Sequence, residues 1–365
     1  MSTSSEMQTT TSEAWPIPSI INGVQELFDS WILFAPECDP FWSEVSLLGN
    51  FRRVPTAKRG LVLAIEAGVP AVVFVPNRQL ANAFTFVKNI HIDFPLILVV
   101  EDHPTLAPQV RPRESAKQAG LCVIEPCDST EVTYCASASS SFSSLLGEPV
   151  VLLLHHSLLA SSSSKDNSKD PEVQQRSPQS ETSSPIHLCR RMELNRQRTL
   201  PSPGERVEVG FITIGGSDLS LKYLVSELQL LGRVPMLNLR LVNPIDHVPV
   251  ERLLSRCRHV VVLEPRPGEV EQEIIRIAQA MRREGREVAS IWGKELPPFD
   301  PELQPVKVAV NAIHPSVVAR LTQHLLHDAC PSAKVSEQLS SEFSVFDIDQ
   351  VDRVPFGTNG ALDLL

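Results

Sequence analysis

The sequence predicts an α/β protein made of two doubly wound α/β domains, and three observations predict it. Short, unbroken, β-branched apolar runs recur along the 365 residues, the mark of strands buried on both faces. Helix-length segments alternate with those runs, the pattern of parallel strands with crossover helices. A stretch rich in Ser, Gln, Pro and charge, residues 161–205, then divides the series in two and lacks the apolar content to offset chain entropy.

Taken in order, residues 1–40 read as a disordered or partly ordered tail. Their start, MSTSSEMQTTTSEAW, has neither the basic nor the apolar region of a signal peptide. The first domain is expected over 41–160, with strands at AVVFV (71–75), LILVV (96–100), GLCVIEP (120–126) and PVVLLLH (149–155). RQLANAFTFVKNI and STEVTYCASASSSFSSLL are the helices between them. After the expected disordered linker, a second domain spans 206–330. It opens with the strand VEVGFITIG (207–215), then a helix with Ser217 or Asp218 as N-cap and Gly232 as its stop. PMLNLRLV (235–242) and HVVVLEPRP (259–267) read as strands, with the helix VPVERLLSRC between them. The amphipathic helix EVEQEIIRIAQAMRREG and a last strand, EVASIWGK, close the unit, and 331–365 form an acidic tail.

Composition narrows the function. A net charge of −10 argues against nucleic acid, whose phosphates demand a basic face. No run of 18 apolar residues suggests a membrane span. The seven cysteines (38, 122, 127, 135, 189, 257, 330) never fall as C-x-x-C, which offers neither a zinc ribbon nor an iron–sulfur cluster on this chain. Free thiols in a reducing cytoplasm are the plain reading.

Candidate chemistry lies at strand ends. Glu101, Asp102 and His103 follow one another, but consecutive residues of an extended segment point apart, so a solvated loop is favoured over a metal or catalytic trio. Ligands of open parallel sheets nonetheless bind beyond the carboxyl ends of strands, where this loop lies. Pro76 and Asn77 end another strand, in a turn or a cofactor loop. His155 and His156 read as surface residues leading into the linker. GFITIGGSD has the strand, glycines and helix start of a phosphate turn without its full spacing or a lysine, so a tight β–α turn is favoured. Glu264 contacts a ligand or caps the next helix. No nucleophile elbow or Ser–His–Asp set is present, and no catalytic residue is assigned.

The ordered segments LILVVEDHP (96–104), Gln109, EPCDSTE (125–131) and PVVLLLH resemble the thiamine-diphosphate family of 2-oxoacid:ferredoxin oxidoreductases, nearest the indolepyruvate alpha subunit. GFITIGGSDLSLKYLV, LRLVNPIDHVPVERLLSRCRHVVVLEPRPGEVEQEI and IWGKELPPFDPELQP are similar to its second domain. The resemblance implies a reduced pyrimidine-type domain followed by a transketolase C-terminal-like domain. It places Pro76, Asn77, Asp102 and Gln109 on the cofactor side, with Gln109 facing the ligand. It also implies oxidative decarboxylation of an aryl-2-oxoacid to an acyl-CoA, active only with a partner. That partner subunit would supply the pyrophosphate domain and the iron–sulfur clusters, share thiamine diphosphate and lead electrons to ferredoxin. A homodimer through the first domain is also implied. The family's glutamate that protonates the aminopyrimidine finds no counterpart in either of two alignments of AIEAGVPAVVFV, in the second of which its position falls near Val54. A degenerate, non-catalytic paralogue acting as a binding or scaffold module is therefore the rival expectation, and a free-standing small-ligand binder is a third.

Overall fold

A computed structural model describes residues 31–36, 51–102, 111–155, 184–202, 204–228, 230–265, 268–296, 306–307, 318 and 325. The first half forms strands β1 (Ile32–Pro36), β2 (Phe51–Val54), β3 (Ala71–Val75), β4 (Leu96–Asp102), β5 (Cys122–Ile124) and β6 (Val150–His155). Its helices are α1 (Ala57–Ala67), α2 (Leu80–Val87), α3 (Pro112–Ala119) and α4 (Val132–Leu146). The six strands are parallel, in the order β5-β6-β4-β3-β1-β2. The inner strands β3, β4 and β6 are apolar along most of their length because helices cover both faces, which is why no polar alternation shows there in the sequence.

Local chemistry sets the helix limits. Thr56 caps α1 by accepting from the Arg59 N–H at 3.2 Å, and Gly68 ends it in a left-handed conformation. Ala57, Gly60, Leu61 and Ala64, on one helical stripe, face the sheet. A Cβ on Gly60 would stand 3.1 Å from the Cβ of Phe34, so glycine sets the close approach of α1 to β1. The serine-rich α4 bonds to the sheet: the Ser143 hydroxyl accepts from the Leu96 N–H at 2.8 Å.

The second half adds α5 (Pro185–Arg191), β7 (Arg196–Arg198), β8 (Val207–Ile214), α6 (Ser217–Glu227), β9 (Met236–Leu239), β10 (Leu241–Asn243), α7 (His247–Arg256), β11 (Cys257–Leu263), α8 (Glu269–Arg283) and β12 (Ser290–Trp292). Its five-stranded sheet runs β12-β11-β8-β9-β7, with only β7 antiparallel. A two-stranded ribbon, β13 (Glu295–Leu296) and β14 (Val306–Lys307), lies apart from both sheets.

The structure departs from expectation at several points. Ile32–Pro36, inside the expected tail, is an interior strand between β2 and β3. Residues 184–198, inside the expected linker, form α5 and β7; Ser184 caps α5, and Leu188 and Leu194 are buried against the first core. PMLNLRLV is two strands rather than one. β9 belongs to the second sheet, while β10 crosses over and pairs antiparallel with β5 as the edge of the first. Helix α6 stops at Glu227, short of Gly232, and Gly216 takes its N-cap position. One apolar cluster runs through both halves, from Phe34 and Val123 to Leu239, Ile245, Leu253 and Ile274. Among the described residues no helix is long and apolar enough to cross a membrane.

Candidate functional site

Parallel strands present their carboxyl ends along one edge, and those edges of the two sheets meet. On the first, Asp102 and His155 are register partners at the ends of β4 and β6, and Glu125 follows β5. Arg113, on the first turn of α3, faces them: Nε and Nη2 donate to the two Glu125 oxygens at 2.9 and 2.7 Å. Its Nη2 also lies 3.3 Å from Asp102 Oδ2, and all three side chains are at most 5% exposed. From the second sheet, Glu264 follows β11 and accepts from the Val270 and Glu271 N–H groups at 3.2 and 3.1 Å. It is thus the cap of α8. Lys294 donates to the Glu264 backbone carbonyl at 2.9 Å.

The halves meet most closely at Gly215, in a left-handed conformation after β8. A Cβ there would stand 2.1 Å from Glu125 Oε1. The favoured reading of the glycines as a tight turn is what the structure shows, and a carboxylate from the other sheet fills the space that glycine leaves. Ser217 locks that turn by accepting from the Ile214 N–H at 3.1 Å and donating to the Leu263 carbonyl at 2.7 Å.

The electrostatics follow from burial. Desolvation works against charge on Arg113, and Glu125 and Asp102 more than offset it, so the guanidinium is pushed up and stays charged. Burial pushes Glu125 above the usual carboxyl range although Arg113 pulls it down. Burial also pushes Glu264 up to about 7, against Arg113, the amides of α8 and Lys294. The same desolvation lowers Lys294 and raises Glu269. The cluster can therefore hold or release a proton near neutral pH at Glu264. A cleft of about 1100 Å³ opens on it, walled by Arg113, Asn243, Glu269, Trp292 and Lys294. Among the described residues no group of three or more His, Cys, Asp or Glu could hold a metal ion.

A second network fixes the crossover between β9 and β10. Arg240, fully buried, donates through Nε to Glu131 Oε2 at 2.8 Å, through Nη2 to Glu131 Oε1, and through Nη1 to the Leu194 carbonyl at 2.8 Å. Asn238 donates to Cys127 Sγ at 2.8 Å, another bond between the halves.

Of the sequence-derived positions, Asp102 lies inside the cluster, where a solvated loop was expected; the Arg113 charge is what allows its burial. His155 is likewise buried, not a surface residue. Pro76 and Asn77 sit at the end of β3, beside β4, and Asn77 Oδ1 is buried without a hydrogen-bond donor. Gln109, His103 and His156 lie outside the described residues. Arg113, Lys294 and the Arg240–Glu131 pair escaped the sequence reading. The signal for Arg240 was a charge inside the apolar run LNLRLV, which a buried strand tolerates only when paired.

Thiamine diphosphate requires a carboxylate against its aminopyrimidine nitrogen. Val54, near which one of the two alignments to the family would place it, is a buried apolar residue packed in the core, and Glu66 of AIEAG is exposed on α1. Neither of these two positions supplies the carboxylate that the activated cofactor needs.

No protein-family model matches the chain, and no curated protein sequence matches it. Solved structures do. A structure described as split gene transketolase, inactive beta4 tetramer, is 12% identical, with a TM-score of 0.52 over 87% of this chain and 100% of that one. The 2-oxoglutarate:ferredoxin oxidoreductase from Magnetococcus marinus, with 2-oxoglutarate, coenzyme A and succinyl-CoA bound, is also 12% identical. There the TM-score is 0.53, over 86% of this chain and 65% of the oxidoreductase chain. At that identity the likeness concerns the fold: the chain has the α/β fold of transketolase-like and 2-oxoacid:ferredoxin oxidoreductase-like proteins.

Proposed function

We propose that the chain is a subunit of a 2-oxoacid:ferredoxin oxidoreductase, of the indolepyruvate alpha kind. It would work with a partner that carries the pyrophosphate-binding domain and the iron–sulfur clusters. The reaction is the oxidative decarboxylation of an aryl-2-oxoacid to an acyl-CoA, with electrons passed to ferredoxin in the cytoplasm. One observation carries this reading: the carboxyl ends of two parallel sheets meet through Arg113, Glu125 and Gly215 in a fold shared with such an oxidoreductase. Pro76, Asn77, Asp102 and Gln109 are the positions proposed to face a cofactor shared with the partner, and a homodimer through the first sheet is proposed with them.

Val54 favours a second reading, a binding or scaffold subunit without catalysis, because that position carries no carboxylate. No chemical step is therefore assigned to this chain. A tagged pull-down that identifies co-purifying subunits, followed by calorimetry with thiamine diphosphate and magnesium on chain and complex, separates the two. Cofactor binding by the complex, with CoA-dependent reduction of a dye by indolepyruvate, supports the oxidoreductase. A stable complex that neither binds the cofactor nor reduces the dye overturns it.

A further inference from the structure

Between β12 and β13 a short strap, Trp292, Gly293, Lys294 and Glu295, lies against the first turn of α8. Lys294 pins it at two points: Nζ donates to the Glu264 carbonyl at 2.9 Å, and the backbone N–H donates to Glu271 Oε2 at 3.1 Å. Gly293 and Gly268 leave the space that the Glu271 carboxyl fills, and a Cβ on either would collide with it. At the start of the strap, the Trp292 ring N–H donates to His259 Nδ1 at 3.0 Å.

Trp292, Lys294 and Glu295 wall the cleft together with Glu269 and Glu271. Behind that wall sits Glu264, 2% exposed and outside the cleft lining. Among the described residues the charges that face it are Arg113 from α3 and Lys294 from the strap. The first turn of α8 adds Glu269 and Glu271, and Arg113 in turn holds Glu125 and Asp102. An ionised Glu264 gives up hydration there that a lifted strap would restore. Of the elements around it the strap is held most lightly. α8 buries Val270, Ile274, Ile277, Ala278 and Met281, whereas Gly293 is the one buried residue of the strap.

We propose that the strap is a proton-gated lid: it rests over Glu264 while that carboxyl keeps its proton, and lifts as the proton is lost, opening the cleft onto the acid. Burial pushes the closed-state carboxyl up to about 7, against the pull of Arg113 and Lys294. A proton held more tightly in the closed state means that closure weakens as pH rises up to and through that value. The lid bears on the cleft itself and operates under either reading of the function.

Hydrogen exchange of the full chain at pH 6 and pH 8, corrected for the intrinsic rate, tests this at the Gly293 and Lys294 amides. Their protection should fall about tenfold from pH 6 to pH 8 in the parent, and less than about twofold in Glu264→Gln. Amides of β4, in the core, should stay at least about tenfold better protected at both pH values, because the lid opens without unfolding the sheet. Protonation of His259 would free Trp292 toward acid, which is the opposite sign. If Glu264→Gln melts early, Lys294→Met carries the comparison, with strap protection at pH 6 already at least about threefold below the parent's. Parent protection that is level or rises toward pH 8, an equal fall in Glu264→Gln, Lys294→Met matching the parent at pH 6, or strap amides as protected as those of β4 would each overturn the proposal.

Discussion

Arg113→Met removes the cation that makes burial of Glu125 and Asp102 tolerable. Both carboxylates stay in place, at most 1% exposed, with the guanidinium contacts of 2.7, 2.9 and 3.3 Å gone. Breaking a buried pair from one side costs about 3–5 kcal/mol, because an uncompensated charge remains. Against a total stability of about 5–15 kcal/mol, this is a large fraction. The sign of its pH dependence follows from Glu125. Burial already raises its carboxyl in the native state. Without Arg113 the native value climbs further, while the unfolded value stays near ~4.3. A native carboxyl above its unfolded value binds the proton more tightly when folded, so the variant's stability falls as pH rises through that window. Urea unfolding followed by circular dichroism should therefore show a larger deficit at pH 8 than at pH 5, and Arg113→Met/Glu125→Gln should recover part of it. A deficit under about 1 kcal/mol at pH 8, or one that is greater at pH 5, would refute the reasoning.

Glu264→Gln should flatten the stability profile between pH 4.5 and about 7: the parent, whose native carboxyl is raised to about 7, loses stability as pH rises through that window. The parent's fall across it is about 3 kcal/mol, read from unfolding midpoints at successive pH values; an unchanged slope in the variant would count against a buried acid there. Gly215→Ala combines a left-handed backbone with displacement of Glu125, whereas Gly232→Ala, also left-handed, meets nothing within 4 Å. The first should exceed the second by at least about 2 kcal/mol in chemical denaturation, and equal losses would mean that Glu125 yields freely. Asp246→Ala removes the acceptor of the Val248 N–H, at 3.1 Å, together with the half-exposed Arg190 pair. It should cost about 1–2 kcal/mol, seen as a lowered Tm.

Much of the fold was legible because strands covered on both faces are written as short apolar runs: AVVFV, LILVV and PVVLLLH are β3, β4 and β6 almost residue for residue. β2, FRRV, was not, since two arginines interrupt the apolar pattern on an edge strand. β1 hid beside prolines in a stretch whose start looked like a tail. The break at Arg240 was invisible to periodicity, which counts apolar residues and does not say which sheet receives them. The site was legible only as positions at strand ends. What assembles it, Arg113 across from Glu125 and Glu125 against Gly215, is tertiary, and the last pair is 90 positions apart (215 − 125), with α4, β6, α5, β7 and β8 between them.

The crossover at Arg240 also bears on the order in which the protein can be completed during synthesis. β5 gains its outer neighbour only when Leu241 pairs with Ile124, 117 positions later (241 − 124). At ~5–20 residues per second, a ribosome takes about 6–23 s to supply it. During that interval the nascent first sheet has an open β5 edge beside Glu125, and Glu131 has no Arg240. The edge is only three residues long, Cys122–Ile124, and a carboxylate and Pro126 follow it directly, both poor templates for stray strand pairing. An edge that must wait for a distant partner is thus short and a poor template for a wrong one while it waits.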